Sequence, residues 1–182
     1  MEKHVMIDIE TLGTKSYSVI LSIAAVEFNL ETGETGKDFF TVIDIQSCID
    51  WGLTFDGDTI RWWLQQNNNA KEHFRTKGVN ISSALVELER FIRGFNIPIN
   101  KLYVWGNSHS FDCALIANAF EKIDIPLPWM YYNERCVRTV SKLFPDIKKQ
   151  TTFIGTHHHP LHDCYYQIEY LCATYKKIKS IN

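Results

Sequence analysis

The segment Met6-Ile7-Asp8-Ile9-Glu10-Thr11 sets two carboxylates into a short apolar run, and no other stretch constrains the fold as tightly. Residues 4–9 have the length and hydrophobicity of a buried central strand. Side chains two apart on a strand leave by the same face, so Asp8 and Glu10 point together. Two such carboxylates repel unless a proton or a cation sits between them. Hard divalent ions such as Mg²⁺ and Mn²⁺ prefer oxygen ligands of this kind. An Asp-x-Glu on a strand is a common pattern, however, and the rest of the chain decides its meaning.

A second strand is expected over 18–30, rich in β-branched residues and Phe, followed by a turn over 31–36 and a returning third strand over 37–44. From 57 to 75 the pattern turns helical, with Asp58 as cap ahead of Ile60, Trp63 and Leu64. A clearer helix spans 81–95, where Ile81, Leu85, Leu88, Phe91 and Ile92 recur at helical spacing and Gly94 ends it. Residues 101–105 read as a fourth strand, leading through Gly106-Asn107-Ser108 into a helix over about 111–122. A short strand near 130–133 and a helix over 135–143 follow a loop containing Pro126 and Pro128. The last helix starts at Pro160, a favoured first helical residue, and runs to about Lys177. With no repeat, low-complexity tract or internal boundary, residues 1–182 read as a single α/β domain around a mixed sheet.

Three more residues join the acidic pair. Asp112 follows Ser110-Phe111, and His158 and Asp163 bracket His158-His159-Pro160-Leu161-His162-Asp163. Each has an ordinary explanation alone: Asp112 suits the first turn of a helix, and the other two suit a loop and a cap. As an ordered set, Asp-x-Glu, a later Asp, then His followed five positions on by Asp, they resemble the DEDDh branch of the DnaQ-like 3′–5′ exonucleases. Gly106-Asn107 ahead of Phe111-Asp112 is similar to that family's second motif. The resemblance runs from residue 4 to about residue 175. Residues 58–64 and 135–139 look most like the short single-domain branch that includes phage exonuclease A and the ribonuclease T-like exoribonucleases.

The resemblance implies a ribonuclease H-like fold, a central mixed five-stranded sheet flanked by helices, with the third strand antiparallel at one side. It implies metal-dependent hydrolysis of single-stranded DNA, RNA or both from the 3′ end to nucleoside 5′-monophosphates. Two divalent cations, Mg²⁺ or Mn²⁺, would be held by Asp8, Glu10, Asp112 and Asp163, with Asp8 bridging both. Such a pair, roughly 4 Å apart, activates water, clamps the phosphate and stabilises the leaving oxygen. His158 would be the general base, since an imidazole with its ordinary pKa of about 6.5 accepts a proton near neutral pH. Gly155 nearby suggests that this base is mobile, although Pro160, where the family more often has Ala, stiffens its loop. Asp163, in the first turn of the last helix, is expected to be kept ionised by the helix dipole.

The terminal nucleotide would lie against Thr11, Leu12 and Gly13, with Leu12 wedged against the last base, and Asn107 would arrange the substrate or Asp112. Trp62, Trp63 and Phe111 are candidates to flank bases, because stacking tolerates any sequence. Trp62 and Trp63 are adjacent, so on a helix they diverge by about 100° and at least one belongs to the core. Arg138, with Arg135 three residues before it on the expected helix face, either meets phosphates or pairs with surface acids.

A formal net charge of −2 gives no domain-wide basic field, which argues against a tight duplex binder and against processive grip. Cysteines 48, 113, 136, 164 and 172 form no CxxC pair and read as reduced thiols of a cytosolic protein. No signal-peptide layout and no apolar run of membrane-spanning length appear, so the expected location is the cytoplasm of a bacterial or phage-infected cell. His157, His158, His159 and His162 raise a structural zinc alternative. Three consecutive side chains cannot converge on one ion, and no Cys lies at finger spacing. A catalytically inactive nucleic-acid-binding module of the same fold is the other alternative, against which all five site residues speak. Ribonuclease T-like relatives can dimerise, which leaves a homodimer open.

Overall fold

The computed structural model describes residues 2–181; Met1 and Asn182, the ends of the expected 1–182 domain, lie outside the described residues. Its centre is a five-stranded sheet of order β3-β2-β1-β4-β5. The strands are β1 (Lys3–Thr11), β2 (Ile20–Phe28), β3 (Thr35–Val42), β4 (Leu102–Gly106) and β5 (Glu134–Cys136). β1 pairs antiparallel with β2 and parallel with β4, which pairs parallel with β5. The third strand lies at the outer side of the meander and runs antiparallel to β2, so β2 is the strand reversed relative to β1. This is the ribonuclease H-like arrangement. In an open sheet of this kind the crevice beyond the carboxyl ends of the parallel strands is where ligands bind. Asp8 and Glu10 stand near that end of β1.

Alternation along β1 divides the interior into two layers. Val5, Ile7 and Ile9 face a core shared with Leu85 and Leu88 of α3 (Ile81–Arg93) and Ile116 and Phe120 of α4 (Asp112–Lys122). Met6, on the other face, packs with Ala24, Val26, Trp105 and Val137 against Cys164, Ile168 and Leu171 of the last helix, Pro160–Lys179. Small residues oppose the acids across the β1–β2 ladder: Ala24 faces Asp8, and Ser22 faces Glu10. They leave room for the last helix to approach the strand, and the Cys164 thiol lies 3.7 Å from the Met6 carbonyl oxygen.

Several boundaries differ from expectation for identifiable reasons. The helix expected over 57–75 is Gly57–Gln65, followed by a separate 3-10 turn at Ala70–Phe74. Between them lie Asn67, Asn68 and Asn69, poor helix formers whose side chains compete for backbone hydrogen bonds. Its cap is Asp56 rather than Asp58: the Asp56 carboxylate accepts from the Thr59 backbone N–H at 2.7 Å and from the Thr59 hydroxyl at 2.9 Å. Residues 131–133 form a 3-10 turn, so the fifth strand begins only at Glu134, and the helix after it is Val137–Ser141. Arg135 therefore sits on the strand, and Arg138 on the helix. Two six-residue helices, Ile45–Asp50 and Pro145–Gln150, were not anticipated; both are too short to be stable without tertiary contacts. In chain order the helices are α1 (Ile45–Asp50), α2 (Gly57–Gln65), α3, α4, α5 (Val137–Ser141), α6 (Pro145–Gln150) and α7 (Pro160–Lys179). No described helix is long and apolar enough to cross a membrane, and none of the five cysteines is in a disulfide.

Candidate active site

Asp8 and Glu10 leave β1 on the α7 side, where Asp163 in the first turn of α7 meets them. One carboxylate oxygen from each of the three lies within 4.8 Å of the others, the only such group of three or more potential ligands among the described residues. Asp112 arrives from the opposite layer at the first residue of α4, almost fully buried, and its Oδ2 accepts the Ser108 backbone N–H at 3.1 Å. Gly106 at the end of β4 makes room for it: a Cβ there would stand 2.8 Å from Asp112 Oδ2. All four acids line one cleft of about 430 Å³, together with Ile9, Asn107, Ser108, Phe111, Arg138, His158 and Gln167.

Electrostatics set this cluster apart. Burial raises Asp8 well above the usual carboxylate range, and the charges of Asp112 and Asp163 add to it; the Gln167 amide works the other way. Burial, then Asp8, Asp163 and Asp112, raise Glu10 well above its ordinary value. Burial pushes Asp112 up to about 7, opposed by the Ser108 N–H and by Arg138. Asp163 is pushed up to about 6, again by burial, so the helix N-terminus does not hold its carboxyl in the ordinary range as expected. Carboxylates crowded this closely need protons or cations between them.

His158 sits at the cleft's edge on a tight turn, with φ of 64°, in the left-handed region. Its Nδ1 is 3.9 Å from Glu10 Oε1, and its ring stands edge-on to Trp62 with centroids 4.9 Å apart. Burial and the neighbouring His157 lower its pKa below the ordinary histidine value, which favours the neutral, proton-accepting form. The turn is braced: the His158 carbonyl is 2.9 Å from Nε2 of the buried His73. Thr156 N–H donates to His162 Nδ1 at 3.0 Å, and His159 stacks on His162 with ring centroids 4.3 Å apart. His157 stacks on Phe153. The histidines thus pack against the loop and against one another, and they form no metal-binding group among the described residues.

A second cleft, of about 700 Å³, continues past Ile9, Glu10 and Phe111 and is lined further by Thr11, Gly13, Thr14, Lys15, Asp56, Thr59, Trp62 and Trp63. Trp62 is 40% exposed there, whereas Trp63 is 2% exposed and donates its indole N–H to the Thr11 carbonyl at 2.9 Å. Trp63 therefore braces the strand end and offers little ring face. Leu12 is also buried, in the layer opposite the acids, so its side chain is not at hand to wedge a base. Leu12 lies just beyond the end of β1, where its backbone N–H donates to the Val19 carbonyl at 2.9 Å and the chain has left the strand's alternation. The Thr11 hydroxyl donates to the Gly13 carbonyl at 2.7 Å, fixing the bend that follows. Asn107 and Arg138 reach the acidic cleft; Arg135 does not, its guanidinium lying over the Tyr103 ring at 4.8 Å.

Sequence reasoning missed Gln167. It is 4% exposed, and its Nε2 donates to Asp8 Oδ1 at 2.7 Å. Its spacing of four from Asp163, which places both on one face of α7, was the available signal. Its Oε1 is buried with no partner among the described residues, a cost of about 1–3 kcal/mol.

An all-oxygen donor set of crowded, buried carboxylates, with no thiolate or imidazole among the three-membered group, fits hard divalent cations. The model describing the Rv2179c-like 3′-5′ exoribonuclease domain matches residues 3–175. The chain belongs to this family. As a whole it is similar to solved nucleases. The nuclease domain of 3′hExo, a DEDDh family member bound to rAMP, superposes with a TM-score of 0.69 at 11% identity, over 97% of this chain and 92% of that one. The zinc-bound E. coli ExoI–ssDNA complex gives 0.63 at 15% identity, over 100% of this chain and 41% of that one. Cell-death related nuclease 4 (CRN-4) gives 0.56 at 8% identity, over 100% of this chain and 65% of that one. The Rv2179c-like domain thus spans about two-fifths of the ExoI chain. None of the curated proteins matches it by sequence. It shares the ribonuclease H-like fold of these nucleases.

Proposed function

We propose that this Rv2179c-like domain trims single-stranded RNA, DNA or both from the 3′ end, releasing nucleoside 5′-monophosphates with the help of two Mg²⁺ or Mn²⁺ ions. The observation that carries the reading is the convergence of Asp8, Glu10, Asp112 and Asp163, from three distant segments, on one cleft edged by His158. Asp8, Glu10 and Asp163 would hold the cations with Asp112. When bound, such ions supply charge to clamp the phosphate, to acidify water and to stabilise the leaving oxygen.

The remaining work falls to the chain. His158, neutral because burial lowers its affinity for protons, takes the proton of the attacking water. Trp62 and Phe111 flank the terminal base in the adjoining cleft. The bend at Thr11–Gly13 fixes where the sugar can lie, and Arg138 and Asn107 meet the phosphate from the α5 side. The family's description favours RNA, while some of the ExoI neighbours are complexes with single-stranded DNA or DNA oligonucleotides, so both substrates belong in the test. Matched 5′-labelled RNA and DNA oligonucleotides incubated with Mg²⁺ or Mn²⁺ should shorten stepwise from the 3′ end. Asp8→Ala should abolish the shortening, and His158→Ala should slow it by about 10²–10⁴-fold. Shortening that persists in Asp8→Ala would overturn the reading.

A further inference from the structure

We infer that Gln167 is a positioning residue for Asp8, holding that carboxylate in the orientation in which the acidic group takes up a divalent cation; the inference rests on the metal-dependent reading above. Gln167 lies one turn beyond Asp163 on α7, so the helix that delivers one acid also delivers a donor to another. A carboxylate on Asp can rotate broadly about its last bond. A 2.7 Å hydrogen bond to Oδ1 fixes that rotation and leaves the second oxygen free to ligate.

Two features separate this from a polar residue that merely fills space. When Asp8 is ionised, as it must be to ligate, the amide can face it in only one way, since its oxygen turned toward a carboxylate would repel. In that orientation its Oε1 is left buried without a partner among the described residues. A space-filling role would be met better by an apolar side chain, which leaves no such atom. The orphaned oxygen is tolerated, and the bond to Asp8 is what it accompanies. The neighbouring thiol of Cys164 and the aliphatic face of Ile168 hold the same stretch of helix against β1, so the amide's reach is set by packing.

The test uses the full chain without nucleic acid, reading Mn²⁺ binding by calorimetry or electron paramagnetic resonance. Gln167→Met keeps the volume and removes the donor; Gln167→Asn keeps the amide but is too short to reach Asp8. Both should raise the Mn²⁺ dissociation constant by about 10–100-fold, the usual effect of losing a residue that orients a ligand. At saturating Mn²⁺ the turnover of an RNA oligonucleotide should recover while its KM stays unchanged. Native Mn²⁺ affinity in the variants would overturn the inference, and Gln167→Asn decides it alone if Gln167→Met does not fold. Failure of the native protein itself to bind Mn²⁺ would instead overturn the metal reading on which the inference rests.

Discussion

Along β1, Val5, Ile7 and Ile9 face a layer of apolar side chains, whereas Met6, Asp8 and Glu10 on the opposite face lead from an apolar floor into a cluster of acids. The two faces are equally well buried over most of their length, yet they obey different rules. On the first, each fully buried aliphatic side chain contributes about 1.5–3 kcal/mol to the fold. On the second, burial raises the proton affinity of every carboxylate, so the acids oppose folding unless something neutralises them. Stability is built on one side of the strand, and the capacity for chemistry is stored on the other.

Exchanging a residue on either face should break the comparison in opposite directions. Asp8→Asn should cut the rate of 3′ shortening by at least about 10³-fold, since the charge stabilisation it helps supply is worth several kcal/mol. The same substitution should raise the metal-free melting temperature at pH 8, because it removes a buried repelling charge. Ile7→Ala, one residue away on the other face, should destabilise the protein by about 2–5 kcal/mol in chemical denaturation while leaving Mn²⁺ affinity unchanged.

pH sharpens the same contrast. Asp112 and Asp163, pushed up to about 7 and about 6, bind protons more tightly folded than unfolded. Their contribution is therefore fully present below the ordinary carboxylate range and is lost as pH rises through 6 to 7. Metal-free melts should fall across that window, and Mn²⁺ at a hundred times its dissociation constant should add about 2.7 kcal/mol. A melting temperature that rises from pH 5 to pH 8 without metal would contradict this account. The smallest effect concerns the adjoining cleft: Trp62→Ala should weaken binding of oligonucleotides by about 1–3 kcal/mol, read as a higher KM with the melting temperature held. Trp63→Ala should do the reverse, because that ring is buried and bonded to Thr11.

Much of this was legible in the residues themselves. The apolar run around Asp8 and Glu10 fixed a central strand, and the order of Asp112, His158 and Asp163 pointed to their meeting place. What escaped was whatever depends on contacts between distant segments. The strand ends at Thr11 and Leu12 turns into the opposite layer, and no alternation pattern announces where the strand stops. Asp56 and Asp58 are equivalent as letters, and only the path of the chain into α2 makes the earlier one the cap. Gln167 reads as a surface residue of an amphipathic helix until β1 is placed beside it. Asp163 occupies the helix start that was expected, but the depth of the cleft outweighs the dipole there.

The union of β1 with α7 has a consequence for how the molecule comes into being. Asp8 and Glu10 leave the ribosome more than 150 residues ahead of their partners Asp163 and Gln167. A chain stalled or clipped before residue 160 keeps the first acids but has no closing wall to the cleft. The acidic cluster is thus incomplete during synthesis, and its members meet only once the late helix has docked.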